Sequence, residues 1–70
     1  MTAQLTVEEK KAIISSHQQN IAYNQFNLKM TLIEENAKST PDSKAVTSYT
    51  SQIAEMDNQL AALQSEFDSL

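Results

Sequence analysis

The 70-residue chain contains no cysteine, no glycine and no tryptophan, and a single proline, Pro41. Without cysteine, no disulfide can staple a small fold. Without glycine, no phosphate-cradling glycine loop can form. The shortage of glycine and proline also leaves little material for tight turns and suits long, unbroken helices. The one histidine, His17, stands apart from any dense cluster of metal-ligating residues, so neither a metal nor any other cofactor is expected. No run of about 18 apolar residues occurs, so no membrane span is expected. The stretch from Met1 to Lys11 lacks a basic start followed by an apolar segment. No secretory signal is therefore expected, and the expected location is the cytoplasm.

What is present is a moderate apolar content, 40%, enough for a core and too much for outright disorder. A single domain of this size buries only about 60% of the surface its unfolded chain exposes. With disulfides and metals set aside, the remaining remedies are oligomerisation or unusually good helix packing. The net charge of −4 is unevenly placed. Up to Lys38 four acids and four lysines cancel, whereas from Ser39 onward five acids face only Lys44. The acidic second half would repel phosphate backbones and anionic lipid heads.

Two helix starts are legible. Thr6-Val7-Glu8-Glu9 fits a capping box, with Thr6 as N-cap and Glu9 at the third helical position. In Ser39-Thr40-Pro41-Asp42, Thr40 fits an N-cap with Pro41 at the first helical position. These signals predict helix 1 over about 6–38, a turn at 39–40 and helix 2 over about 41–69, a single all-α helical-hairpin domain. So short a turn forces the helices to lie antiparallel.

Hydrophobic spacing fills in the packing. In helix 2, Val46, Tyr49, Ile53, Met56, Leu60, Leu63, Phe67 and Leu70 alternate intervals of three and four without a slip, the seam of a coiled coil. Its flanking positions, such as Thr50, Gln52, Gln59 and Gln64, lack the matched charges that select a partner. Helix 1 carries two stripes. Tyr23, Phe26, Met30, Ile33 and Ala37 repeat at three and four and pair in register with helix 2, which predicts them as the hairpin core. The other stripe is Val7, Ile14, Ile21 and Leu28 at intervals of seven, with Leu32 beside it. It lies well over 120° around the helix from the first, beyond the reach of one neighbouring helix. The hairpin pairing also sets Leu63 and Phe67 opposite Gln19 and Ser16, which cover them poorly. Each uncovered large aliphatic forgoes about 1.5–3 kcal/mol. Four or five of them approach the whole stability of a small domain, about 5–15 kcal/mol. A homodimer forming a four-helix bundle through Val7, Ile14, Ile21, Leu28 and Leu32 is therefore expected, with another protein as the alternative occupant.

Candidate chemistry is sparse. His17 and Asn24 sit at the edge of the second stripe, in the expected self-association face. His17 could act as a pH switch or ligand, but an interface residue with a hydrogen-bond partner is the plainer reading. Asn24 fits equally a buried register-fixing amide or an exposed side chain. Glu8-Glu9 and Glu34-Glu35 are adjacent carboxylates that point in different directions along a helix, so they read as solvated charges and not as catalytic dyads. No serine or threonine has a recognisable base and orienting acid, and a helical hairpin offers no deep pocket. No catalytic residue is expected.

The run Leu5-Thr6-Val7-Glu8-Glu9-Lys10-Lys11, through to Glu34-Glu35-Asn36-Ala37, resembles small orphan proteins of tailed bacteriophages, particularly those infecting cyanobacteria. The resemblance covers helix 1 and implies expression in a bacterial host cytoplasm, with no particular chemistry. The architecture is also similar to small plasmid-encoded RNA-binding hairpins that dimerise into four-helix bundles. Fold does not give function, and the basic surface expected of an RNA binder is thin here. The expectation is an interaction or oligomerisation module acting as adaptor, assembly factor or inhibitor. The alternative is a dimeric RNA-binding hairpin using Lys10, Lys11 and Lys29; an amphipathic helix lying in a membrane surface fits less well, because the polar faces are Gln/Asn-rich.

Overall fold

The computed structural model describes residues 4–70, so the first three residues of the Met1–Lys11 stretch lie outside it. The chain forms two helices, α1 (Val7–Asn36) and α2 (Ser43–Asp68), packed against each other as an antiparallel hairpin. Among the described residues there is no strand.

Helix α1 starts as its sequence dictates. The Thr6 N–H donates to Glu9 Oε1 at 2.9 Å, and the Glu9 N–H donates to Thr6 Oγ1 at 3.1 Å. This reciprocal box satisfies two N–H groups that the first turn would leave without partners. The Thr6 backbone N–H, and then its side chain, hold the Glu9 carboxyl below the usual carboxylate range.

The link between the helices differs from the expected two-residue turn. Helix α1 ends at Asn36 with Ala37 as C-cap, and the N-cap of α2 is Asp42, not Thr40. Asp42 Oδ1 accepts from the Lys44 N–H at 2.9 Å and the Ala45 N–H at 3.4 Å, leaving Pro41 just outside the helix. Aspartate outranks threonine as a cap, and its charge also suits the positive end of the helix dipole. The connection is thus residues 37–42. A glycine in the left-handed conformation commonly closes a helix abruptly. This chain has none, and no described residue has a positive φ.

The larger correction concerns which face of α1 meets α2. Tyr23, Phe26 and Ile33, expected in the hairpin core, are 71%, 62% and 59% exposed, and Met30 is 37% exposed. The half-buried or buried positions of α1, apart from Ser15 and Thr31 beside them, are instead Lys11, Ile14, Gln18, Ile21, Gln25, Leu28, Leu32 and Glu35. They too alternate by three and four. Ile14, Ile21, Leu28 and Leu32, expected to await a second chain, therefore face α2. The α2 side of the expected core, Val46, Tyr49, Ile53, Met56 and Leu60, is half-buried, as are Leu63 and Phe67. Length explains the choice: the seam from Lys11 to Glu35 runs beside the whole of α2, whereas the Tyr23–Ile33 stripe would leave Leu63 and Phe67 uncovered.

Two glutamines fix the register. Gln25 Nε2 donates to the Ile53 carbonyl at 3.1 Å and to Asp57 Oδ1 at 2.6 Å. One heptad away on each helix, Gln18 Nε2 donates to Gln64 Oε1 at 3.1 Å. At the open end the Lys11 ammonium lies 5.0 Å from the centre of the Phe67 ring, within cation–π range.

Candidate interaction surface

With its polar-studded face turned to α2, α1 presents its most apolar face to water. Tyr23, Phe26, Met30 and Ile33 recur at three, four and three residues, a spacing that keeps them on one side of a helix. That side lies roughly 140° around α1 from the seam at 100° per residue, so α2 cannot reach it. No hydrophobic side chain among the described residues is buried. The surface therefore joins a one-sided seam to an uncovered stripe of two aromatics, a methionine and an isoleucine.

A second apolar area lies at the open end of the hairpin. Leu5, Val7 and Ile13 are 50%, 51% and 45% exposed, and Leu70 is 36% exposed. Leu5, Ile13, Ile14 and Leu70, with Lys10 and Glu66, line an open groove of about 330 Å³. Val7 was expected on the association face with Ile14. It lies where α1 extends beyond the end of α2, and that accounts for its exposure.

The polar candidates are placed as follows. His17 and Asn24 are both exposed on α1. Among the described residues no group of three His, Cys, Asp or Glu side chains could hold a metal ion. Glu34 is exposed, but Glu35, expected to be a solvated charge, is buried at 7% exposure. Glu35 Oε2 accepts from the Asp42 N–H at 3.1 Å, and Oε1 accepts from Lys38 Nζ at 3.0 Å. The backbone bond from Asp42, and then the Lys38 ammonium, hold its carboxyl below the usual carboxylate range. The same ion pair raises Lys38. Glu35 thus clasps the end of α1 to the start of α2, a structural task.

Sequence reasoning missed Gln25 and Glu35, and the signal for both was present. Each continues the three-and-four seam through Ile21, Leu28 and Leu32. A long amide or carboxylate can keep its polar tip bonded while its stem packs.

Comparison with protein-family models, with curated proteins and with solved structures finds no match. Among the described residues no helix is long and apolar enough to cross a membrane.

Proposed function

We propose that the chain is a non-enzymatic protein–protein interaction module whose working surface is the outward stripe of α1. The observation that carries this reading is the exposure of Tyr23, Phe26, Met30 and Ile33 together on a face that the hairpin has no means of covering. Aromatic and methionine side chains together on one exposed helix face are the residue types that anchor protein interfaces. The resemblance to small phage proteins suits an adaptor, assembly factor or inhibitor working in a bacterial cytoplasm. The nucleic-acid alternative gains nothing: Lys11 is engaged by Phe67 and Lys10 borders an apolar groove beside Glu66.

The test compares the parent with a Phe26→Asp/Ile33→Asp pair, after circular dichroism shows that both are equally helical. Each is cross-linked in cells that express it, and covalent protein adducts are resolved by mass. The parent should form discrete adducts, with itself or another chain, that the double variant loses. Adducts of equal yield from both proteins would sink the reading.

A further inference from the structure

We infer that the occupant of the outward stripe is a second copy of this chain, docked antiparallel about a two-fold axis that crosses α1 at the level of Leu28. The inference rests on the reading of the stripe as an interaction surface and names its partner.

The first ground is self-complementarity. A two-fold interface needs one patch that matches itself when reversed. The stripe's intervals of three, four and three read the same from either end. Reversal about the level of Leu28 sets Tyr23 against the partner copy's Ile33 position and Phe26 against its Met30 position. Every layer then pairs one aromatic with one slimmer aliphatic side chain, so the two helix axes can stay at even spacing. A parallel copy would stack Tyr on Tyr and Phe on Phe at one end, with Met and Ile on their own kind at the other, which splays the helices. The antiparallel arrangement also places methionine sulfur against an aromatic ring twice, a favourable contact. It opposes the two helix dipoles.

Charge argues less strongly the other way. Lys29 and Glu34 flank the stripe on opposite sides, both exposed. A parallel copy would bring Lys29 near the partner's Glu34 position, whereas the antiparallel copy brings two Lys29 side chains toward each other at the axis. Exposed ion pairs contribute little, and long lysine stems can diverge into water, so packing decides the orientation.

The second ground is area. Exposures of 71%, 62%, 37% and 59% at Tyr23, Phe26, Met30 and Ile33 amount to roughly 400–500 Å² per copy, given the size of such side chains. Covering both copies with their flanking residues brings the total to about 1,200 Å², the lower edge of specific interfaces. The stripe with its flanking residues thus reaches the area of a weak, reversible dimer, and no further surface has to be supplied by another protein.

Sedimentation equilibrium on the purified parent, on Phe26→Asp and on Ser51→Asp tests the occupant. Ser51 is exposed on the outer side of α2 and carries the same charge change away from the stripe. The parent and Ser51→Asp should dimerise alike, and Phe26→Asp should weaken the dimer by about a hundredfold, the effect of an unpaired charge in an apolar interface. Spin labels at Asn27→Cys and Asn20→Cys test the orientation. Antiparallel docking puts the two labelled positions about 10 Å apart at residue 27 and roughly 25 Å apart at residue 20, from helix rise and spacing. Parallel docking makes both short and overturns the proposal. So does a parent that remains monomeric at millimolar concentration, or a dimer indifferent to Phe26→Asp. If adducts with a different protein still depend on the stripe, the interaction reading stands while the second copy falls.

Discussion

Gln25 shows how one polar residue can act in a seam otherwise built of aliphatics. Its Nε2 reaches both the Ile53 carbonyl and Asp57 Oδ1, and Gln25 itself is 7% exposed. A slip of the helices by one turn would break both bonds, so the amide specifies register as buried polar groups do in coiled coils. Gln25→Glu would turn a donor into an acceptor facing a carbonyl and a carboxylate. The expected cost is about 2 kcal/mol, lowering the melting temperature by roughly 10 °C. Gln25→Leu leaves Asp57 able to turn to water and should keep the stability within about 1 kcal/mol of the parent. A melt series by circular dichroism at fixed concentration reads both, and equal melting of Gln25→Glu and Gln25→Leu would show that the amide is a bystander. Glu35 gives a prediction in pH. Its carboxyl is held down by the Asp42 N–H and Lys38, so it stabilises the fold above the unfolded-state value near 4.3. That contribution is lost as pH falls through the lower folded value. Glu35→Gln should therefore melt lower than the parent at pH 7 and lose less stability between pH 5 and pH 3. Parallel stability–pH curves for the two proteins would refute the clasp.

At the scale of elements, α1 is the two-faced helix and α2 the one-faced helix. Ile21 lies in the seam, half-buried, and Ile33 lies outside it, 59% exposed. A buried unpaired charge costs several kcal/mol, a large part of the stability of so small a domain. Ile21→Asp should thus unfold the hairpin, whereas Ile33→Asp should leave its helix content intact at low concentration. Circular dichroism decides, and a collapse of helicity in Ile33→Asp with none in Ile21→Asp would invert the seam. Much of this was legible in the sequence. The α2 seam from Val46 to Phe67 and the Thr6–Glu9 box follow from spacing and capping rules that hold locally. The face of α1 was not, because spacing alone pairs Tyr23, Phe26, Met30 and Ile33 in register with α2, while Gln18 and Gln25 hide the three-and-four run that continues through Ile14, Ile21, Leu28 and Leu32. The fold favours coverage along the full length of α2, and glutamine stems tolerate a seam when their tips find partners. The second cap was misplaced for a similar reason. Thr40-Pro41 matches a helix-start pattern, but Asp42, two residues further on, offers the stronger acceptor, and Glu35 receives the Asp42 N–H.

The whole molecule is a rod, 60 × 19 × 15 Å, with a radius of gyration of 16.7 Å. A compact chain of this length would measure about 11 Å. Its accessible surface, 5398 Å², exceeds the roughly 4,400 Å² usual for a protein of its mass. Such a shape gives a sharp hydrodynamic signature to the way two rods meet. Docking about the level of Leu28 overlaps the turn halves of two hairpins side by side, because Leu28 lies toward the turn end of α1. With helix axes about 10 Å apart and a rise of 1.5 Å per residue, each rod's centre sits roughly 13 Å from the two-fold axis. The radius of gyration should then grow to roughly 21 Å as the mass doubles. Association through the open end, where Leu5, Val7, Ile13 and Leu70 are exposed, would join the rods tip to tip. It would carry the radius of gyration above about 30 Å. Small-angle scattering across a concentration series separates the two without any label. Melting temperature measured over the same series adds a thermodynamic check, since only a native state that associates gains stability with concentration. A radius near 21 Å together with a concentration-dependent melt, both abolished by Phe26→Asp, places the contact on the outward face of α1. A radius above 30 Å that survives Phe26→Asp moves it to the open end.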